Sequence, residues 1–278
     1  ASSSPEVLIA HVAANTERIR VGAGGIMLPN HAPLRIAEAF HTLEALYPGR
    51  IDLGLGRAPG TDPATSRALR PFDGEQFPAL VRELLSLSRG DFEEEHPLRG
   101  VEVSPVDVKL PPVWILGSSG AGARFAGLLG LGYGFASHFS PTPAMPAIAA
   151  YRENFRPSEW FERPHAIVAV AVVCADTGSE ADRLATSMDL SWVRLQRGEK
   201  GFFPSPEEAE AYPYTPYERA LVAERRRLTV VGTPPAVAAR LREVAEETGA
   251  DEIMVSSMIH DPAARLRSYE LVARALAE

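Results

Sequence analysis

The chain has 278 residues, of which 45% are hydrophobic, and a formal net charge of −8 at pH 7. This length and apolar content are enough to bury one large core. Charges of both signs are scattered along the chain, which argues against nucleic acid or an anionic membrane as a partner, because both require clustered lysine and arginine. The dense basic run, three arginines at 225–227, is interpreted as a solvated helix face.

Cysteine usage points to a reducing compartment. Cys174 is the single cysteine of the chain, so an intrachain disulfide framework is excluded and a cytoplasmic location is expected. The residue follows an apolar run at 167–173, which predicts a buried and unreactive thiol. No apolar run reaches the length of a membrane span, so no membrane partner is expected.

Apolar runs bounded by glycine, proline or aspartate alternate with segments of helical periodicity, a pattern typical of βα units and a parallel sheet. In chain order, strands are predicted at 19–28, 51–57, 112–119, 133–139, 165–175 and 252–257. Helices are predicted at 5–15, 33–47, 77–88, 121–129 and 233–249, with proline near several starts and glycine at several ends.

Residues 178–228 interrupt this alternation and are rich in proline, glutamate and tyrosine. We interpret them as an insertion within a single domain spanning residues 1–278. The six predicted strands are almost continuously apolar, which indicates burial on both faces, as in a (β/α) barrel or a doubly wound sheet. In either architecture ligands bind at the carboxyl ends of the parallel strands.

The first strand end to stand out is glycine-rich. Gly22, Gly24 and Gly25 lie within one predicted strand, followed by His31. Glycines weaken a strand, so they suggest either a bulge or the close approach of something flat to the backbone. Tight packing between strands is an equally good explanation from spacing alone.

The next strand ends at Arg57, in the sequence GLGRAPG. A permanently charged guanidinium at a strand's carboxyl end is a natural partner for a phosphate or a carbonyl group. The alternative is an ordinary surface salt bridge.

The predicted strand at 112–119 runs through Gly117 into Ser118 and Ser119, and a helix follows directly. Hydroxyls and free main-chain N–H groups at a helix N-terminus form a ready anion site, which favours phosphate binding. The sequence is neither a Walker loop nor a dinucleotide-binding fingerprint. The serines could also simply cap the helix.

His138 closes a further apolar strand and is the remaining polar candidate. A structural role for such a lone histidine remains open. The histidines show no metal-ligand spacing, so no metal is expected. No GxSxG elbow is present, so a hydrolase triad has no anchor.

Longer stretches resemble the luciferase-like monooxygenases, which are flavin-dependent oxidoreductases of the bacterial-luciferase type. They are VGAGGIMLPNHAPLRIAEAF, LEALYPGRIDLGLGRAPGTD, VWILGSSGAGARFAGLLGLGYGFASHFSP and GADEIMVSSMIHDPAARLRSYELVA. The resemblance covers nearly the whole chain, in order and spacing. It implies an α/β fold, a (β/α)8 TIM barrel, and an enzyme that takes reduced FMN from a separate flavin reductase and uses O₂ to oxidise an aldehyde or other small organic substrate.

The resemblance also implies site residues. Gly24 and Gly25 correspond to a non-prolyl cis peptide beneath the flavin ring, and Arg57 to a flavin-contacting arginine. The turn at 117–119 corresponds to the segment that holds the ring edge and the phosphate. Gly122 stands where some members place a phosphate-binding threonine, and His31 and His138 are candidates for the substrate pocket. A homodimer is implied, with the predicted helices 33–47 and 5–15 at the twofold interface.

Two departures from the family pattern matter. Gly56 stands where luciferases carry a reactive cysteine, so cysteine chemistry is not expected. The family's catalytic histidine and the first two barrel strands correspond to nothing in this chain, so no catalytic residue is assigned. We therefore expect the native protein to carry about 50–60 further residues before Ala1, enough for two βα units.

Three alternatives stay open. Relatives of the same fold use a deazaflavin for hydride transfer, and others bind flavin without catalysis. A sugar-phosphate enzyme on an ordinary barrel would place its phosphate site after the last two strands, whereas Ser118 and Ser119 lie earlier in the chain.

Overall fold

A computed structural model describes residues 4–69 and 73–277 of the chain. The chain divides into two compact units of α/β structure, described here in turn. The first lies within Ala1–Gly134 and Ala149–His165, and the second within Phe135–Ile148 and Ala166–Glu278. No helix in the described ranges is both long and apolar enough to cross a membrane.

The first unit is organised around neighbouring strands. In sheet order these are β1 (Val21–Met27), β2 (Ile51–Gly56), β3 (Val113–Gly117) and β4 (Gly132–Phe135), and the pairs β1–β2 and β2–β3 are parallel. The first three lie within two residues of the predicted bounds. The predicted strand at 133–139 ends early, because residues 137–139 form a turn. His138 therefore lies in a turn and not in a strand.

The helices of the first unit follow the expected start and stop signals. They are α1 (Pro5–Ala14), α2 (Pro33–Leu46), α3 (Pro63–Leu69), α4 (Phe77–Arg89), α5 (Gly120–Leu128) and part of α6 (Ala144–Glu153). Proline opens α1 and α2, where its missing N–H costs nothing. Helix α4 ends at Gly90, whose φ of 67° is readily adopted by glycine. The buried His41 of α2 bonds Ser88 of α4, with 2.7 Å between Nε2 and Oγ.

The second unit is built on β5 (Ala166–Cys174), β6 (Thr229–Gly232) and β7 (Glu252–Ser256). Strand β5 has nine residues and pairs in parallel with both others. Its first part pairs with β7 through 167–171, and its last part pairs with β6 through 171–174. The helices of this unit are α7 (Gly178–Gln196), α8 (Pro206–Ala211), α9 (Pro216–Arg226), α10 (Pro234–Thr248) and α11 (Pro262–Ala277).

Helix boundaries in the second unit are set by local chemistry. Thr177 accepts a hydrogen bond from the N–H of Glu180 at the start of α7. Thr215 and Glu218 form a reciprocal capping box at the start of α9. Helix α10 ends at Gly249, with a φ of 64°, as the sequence predicted.

The structure corrects two sequence-based expectations. The count of six strands is wrong, because β6 makes a seventh within the described residues. Two members of the arginine run do not lie on a solvated face: Arg225 and Arg226 are half-buried, and only Arg227 is exposed.

The segment 178–228, interpreted as an insertion, contains three regular helices, α7–α9. Helix α7 buries Ala181 and Leu184 against Ala171 of β5 in one apolar cluster.

Candidate functional site

The glycines of β1 have different surroundings. The β1–β2 register shifts between Ala23 and Ile26, which is the bulge that the glycines suggested. A Cβ on Gly22 would lie 2.6 Å from the carbonyl oxygen of Asp52, and one on Gly25 would lie 2.6 Å from that of Gly54. Close packing against β2 therefore explains these two glycines.

Gly24 is the exception. It is exposed, and a Cβ built there would meet no atom within 4 Å. The peptide bond between Gly24 and Gly25 is cis, as the resemblance implied. Packing gives no reason for glycine at position 24, whereas an open backbone surface suits a flat ligand lying against it.

The three strands β1, β2 and β3 meet closely at this point. A Cβ on Gly25 would lie 2.7 Å from Cδ1 of Leu116, the residue before Gly117. A Cβ on Gly54 would lie 2.1 Å from the carbonyl oxygen of Ala23. The open backbone at Gly24 is thereby set next to the strand that leads into the serine turn.

Arg57 follows the last residue of β2 and is exposed. It forms no ion pair with any residue that the structure describes, so the salt-bridge alternative has no support in the described ranges. Gly56 before it packs against the side chain of Met27, since a Cβ there would lie 2.9 Å from the sulfur. The guanidinium of Arg57 is therefore exposed, and its charge is available to a ligand.

The turn between β3 and α5 carries the serines. Ser118 is half-buried and Ser119 exposed, and Ser119 is the N-cap residue of α5. Its side chain makes no capping hydrogen bond, so the capping alternative does not describe this structure. A Cβ on Gly120 or Gly122 would meet nothing within 4 Å. The first N–H groups of α5 and two hydroxyls therefore stand at an open helix N-terminus.

Tyr133 of β4 contacts this turn, and no local sequence pattern singled it out. Its hydroxyl donates a hydrogen bond to the carbonyl of Ser119, with 3.1 Å between the oxygens. The ring is fully buried and lies 3.9 Å from where a Cβ on Gly117 would stand. Burial raises the pKa of Tyr133 far above its ordinary value, so the phenol stays protonated and remains a donor.

His31 lies after a short 3₁₀ turn that follows β1. It is half-buried, and its main-chain N–H donates to the carbonyl of Leu28 at 2.9 Å. The neighbouring Asn30 is buried and donates from Nδ2 to the carbonyl of Pro59 at 2.9 Å. Its Oδ1 is buried without a hydrogen-bond partner among the described residues. Asn30, which the sequence did not single out, therefore offers an unused acceptor close to His31 in the chain.

His138 belongs to the second unit. Its main-chain N–H donates to the carbonyl of Ala169 at 2.9 Å, while Nδ1 is buried without a partner among the described residues. Burial lowers the pKa of His138, a hydrogen bond to Ala169 raises it, and the charge of Arg225 lowers it further. The imidazole is therefore neutral at pH 7.

Comparison with known proteins decides the family. A family model described as luciferase-like monooxygenase matches residues 1–252. The chain belongs to the luciferase-like monooxygenase family. It is 48% identical over 275 residues to YvbT of Bacillus subtilis (strain 168), and 44% identical over 274 residues to a luciferase-like monooxygenase of Escherichia coli (strain K12). Each alignment covers 98% of this chain and 81% of the relative.

Solved structures give the same fold. Apo-MsnO8 aligns with a TM-score of 0.85 at 37% identity, over 98% of this chain and 82% of that one. The oxygenating constituent of 3,6-diketocamphane monooxygenase of Pseudomonas putida, solved with FMN, aligns with a TM-score of 0.68 at 22% identity, over 98% and 83%. An F420-dependent secondary alcohol dehydrogenase aligns with a TM-score of 0.65 at 12% identity, over 100% and 85%. The last two likenesses concern the fold alone.

These findings confirm the expected α/β fold of the bacterial-luciferase barrel type. They also make this luciferase-like monooxygenase an oxidoreductase of the flavin-dependent monooxygenase class.

Proposed function

We propose that this luciferase-like monooxygenase uses reduced FMN and O₂ to oxidise a small organic substrate, an aldehyde or a similar compound. The observation that carries the proposal is the open N-terminus of α5, where the side chain of Ser119 makes no capping hydrogen bond and Ser118 precedes it. A phosphate group satisfies such a terminus, and FMN is the flavin that ends in a single phosphate.

The residues fit FMN on two independent counts. Gly24 presents open backbone on which a flat ring can lie, and a Cβ would occupy that space. Leu116 connects this surface to the serine turn, because it packs at Gly25 and precedes Gly117. The same strand thus borders the open surface for the ring and leads into the turn for the phosphate.

Each residue has a distinct task in the proposed site. The hydroxyls of Ser118 and Ser119 and the N–H groups of the first turn of α5, Gly122 included, would hold the phosphate. The guanidinium of Arg57 would neutralise negative charge on the phosphate or the reduced ring. Tyr133 would help to hold this turn through its hydrogen bond to the Ser119 carbonyl. Reduced FMN, when bound, supplies the electrons that activate O₂.

The substrate pocket and the partners follow the family pattern. We infer that His31 of the first unit contacts the substrate, and His138 of the second unit is a separate candidate for the same role; each is half-buried and follows a strand. Reduced FMN would come from a separate flavin reductase. The single buried cysteine, Cys174, supports a reducing cytoplasm as the site of action.

A homodimer is part of the proposal. Helix α1 exposes Val7, Leu8 and Val12, with 63%, 53% and 40% of their surfaces accessible. Three exposed apolar side chains on one short helix favour an interface at this helix. We infer that α1 and α2 together pack against the second subunit.

A deazaflavin-dependent hydride transfer is the second candidate, and the fold shared with an F420-dependent alcohol dehydrogenase favours it. Oxygen uptake together with the products separates the two. The protein is mixed with reduced FMN, or with a reduced deazaflavin, and oxygen consumption, H₂O₂ and carboxylic acid are measured with and without a long-chain aldehyde. With reduced FMN we expect one O₂ to be consumed per flavin in both cases, giving H₂O₂ without aldehyde and, with aldehyde, the carboxylic acid and water in place of H₂O₂; with the deazaflavin we expect neither. Aldehyde-dependent oxidation of the deazaflavin without oxygen uptake would refute the monooxygenase proposal.

A further inference from the structure

The loop that carries Arg57 is packed at both ends against Met27, the last residue of β1. A Cβ on Gly56, before the loop, would lie 2.9 Å from the sulfur of Met27, and one on Gly60 would lie 2.8 Å from its Cγ. Gly60 has a φ of 68°, a backbone conformation that other residues rarely adopt. The segment 57–59 therefore begins and ends at glycines that fit against one side chain, while Arg57 itself is exposed.

Asn30 holds the same loop between these two contacts. Its Nδ2 donates a hydrogen bond to the carbonyl of Pro59, with 2.9 Å between the two atoms. Asn30 is buried and ends the short 3₁₀ turn that follows β1. Pro59 is only half-buried, and Ala58 and Gly60 on either side of it are exposed, so water can replace the amide as a donor to this carbonyl. The amide therefore fixes where the loop lies and is not needed to satisfy the carbonyl.

Stability alone gives little reason for asparagine at position 30. Its Oδ1 is buried without a hydrogen-bond partner among the described residues. A buried acceptor without a donor costs free energy, which offsets what the hydrogen bond to Pro59 contributes. A leucine has a similar shape and would avoid this cost. The position of the loop is the better explanation for the asparagine.

We propose that Asn30 is a positioning residue for Arg57. Gly56, the residue before Arg57, pairs with Met27, which lies three residues beyond Gly24 on β1. Asn30 keeps the Arg57 loop against this end of β1, so the guanidinium is already in place when an anionic ligand arrives. Less freedom is then lost on binding, which raises the affinity for the ligand. The task of Arg57 as the cation for reduced FMN rests on the proposed function.

The first test measures the loop without flavin. Trypsin cleaves after arginine, and the initial rate of cleavage after Arg57 is compared by mass spectrometry with that after Arg99, which is exposed in another turn of the same unit. We expect Asn30→Leu to raise this ratio at least about fivefold, because cleavage requires the loop to leave its fixed position. The matched control Asn154→Leu removes an amide that donates to the carbonyl of Ala150 at 2.8 Å, and it should change the ratio less than about twofold.

The ratio separates the loop from the fold. A general loss of stability would raise cleavage after both arginines, whereas a freed loop raises it after Arg57 alone. An unchanged ratio in Asn30→Leu, or equal changes in Asn30→Leu and Asn154→Leu, would overturn the proposal.

The second test asks whether Asn30 acts through Arg57. Asn30→Leu should weaken FMN binding at least about fivefold, measured as a dissociation constant. In protein that already carries Arg57→Gln, adding Asn30→Leu should change the FMN dissociation constant less than about twofold, because the residue that Asn30 positions has gone. An equal loss in both backgrounds would mean that Asn30 affects FMN binding without Arg57, and it would overturn the proposal.

Gly60→Ala perturbs the same loop from its other end and covers the case in which Asn30→Leu fails to fold. The added methyl would meet Met27, and φ at this position is unfavourable for alanine. We expect a raised trypsin ratio and weaker FMN binding, as in Asn30→Leu. Unchanged FMN affinity together with a raised ratio would contradict the link between the loop and the ligand.

Failure of this proposal is distinguishable from failure of the proposed function. If Arg57→Gln weakens FMN binding and Asn30→Leu does not, the positioning role of Asn30 fails alone. Absence of FMN binding by the unmodified protein would refute the flavin proposal and the task given to Arg57. The trypsin ratio, measured without flavin, would still decide whether Asn30 holds the loop.

Discussion

The hydroxyl of Tyr133 donates to the carbonyl of Ser119 from the fully buried end of β4, 14 residues further along the chain. The same carbonyl accepts a hydrogen bond from the main-chain N–H of Ala123 at 3.3 Å, as the carbonyl of a helix N-cap residue does, so Tyr133 adds a second donor that holds the turn. A strand residue with no exposed surface is thus tied by one hydrogen bond to the turn that we propose as the phosphate site.

Replacing Tyr133 with phenylalanine should therefore affect both stability and binding. The Ser119 carbonyl loses one of its two donors and keeps the N–H of Ala123, so the free energy of unfolding should fall by about 0.5–1.5 kcal/mol in urea titrations. FMN affinity should fall several-fold because the turn is less well held. The control is Tyr151→Phe, which removes another buried phenol that donates to the carbonyl of Leu131. It should cost more stability, because the Tyr151 hydroxyl also accepts from the main-chain N–H of His165, and leave FMN affinity unchanged; equal loss of affinity in both variants would contradict the role of Tyr133.

Alanine should have different effects at the two glycines of the cis peptide, on stability at Gly25 and on FMN binding at Gly24. Gly25→Ala places a methyl 2.6 Å from the carbonyl oxygen of Gly54, which cannot move freely, so the variant should be destabilised by about 1–3 kcal/mol. Gly24→Ala meets no atom within 4 Å and should fold with near-normal stability. It should nevertheless weaken FMN binding at least about tenfold, because the methyl occupies the surface reserved for the ring. Normal FMN binding by Gly24→Ala would exclude this surface as the ring site.

Stability should fall with acidity because of His41. Burial lowers the pKa of this histidine, although a hydrogen bond to Pro105 raises it. The unfolded chain therefore takes up a proton below about pH 6.5 that the folded chain resists, and the free energy of unfolding falls as pH falls from there through the lower, folded-state pKa. Urea titrations across this range should show a smaller decline in His41→Asn than in the unmodified protein. The exposed His11 of α1, changed to asparagine, serves as the control and should leave the decline intact.

The proposed homodimer can be tested with one charge. We expect the unmodified protein to be a dimer in light scattering, and Leu8→Glu, which places a carboxylate on the apolar surface of α1, to be a monomer. Leu266→Glu on α11 changes a leucine that is 62% exposed and should leave the dimer intact. Dissociation caused by Leu266→Glu and not by Leu8→Glu would move the interface elsewhere.

Most of the fold could be predicted because its signals are local. Apolar runs marked six strands, and Gly249 marked a helix end that the structure places at the same residue. Strand β6 was missed since its four residues, half-buried throughout, follow a charged helix without a turn signal between them. Strand β6 pairs with residues 171–174 of β5, and no local sequence pattern encodes this pairing.

The candidate site was only partly readable for a related reason. Ser118 and Ser119 stand out because a strand meets a helix at that point in the sequence. Tyr133 does not, because its role depends on a contact across two strands. Arg225 and Arg226 are identical in sequence, and only the position of Asp189 in the folded chain makes one paired and the other not.

The most direct test of the account compares FMN with riboflavin, which lacks the phosphate. Dissociation constants for both are measured by fluorescence quenching in the unmodified protein and in the variant with Ser118→Ala and Ser119→Ala. We predict that the unmodified protein prefers FMN, that the double variant loses about 1–3 kcal/mol of FMN affinity, and that its riboflavin affinity is unchanged. An unchanged preference for FMN over riboflavin in the double variant would contradict the placement of the phosphate at this turn.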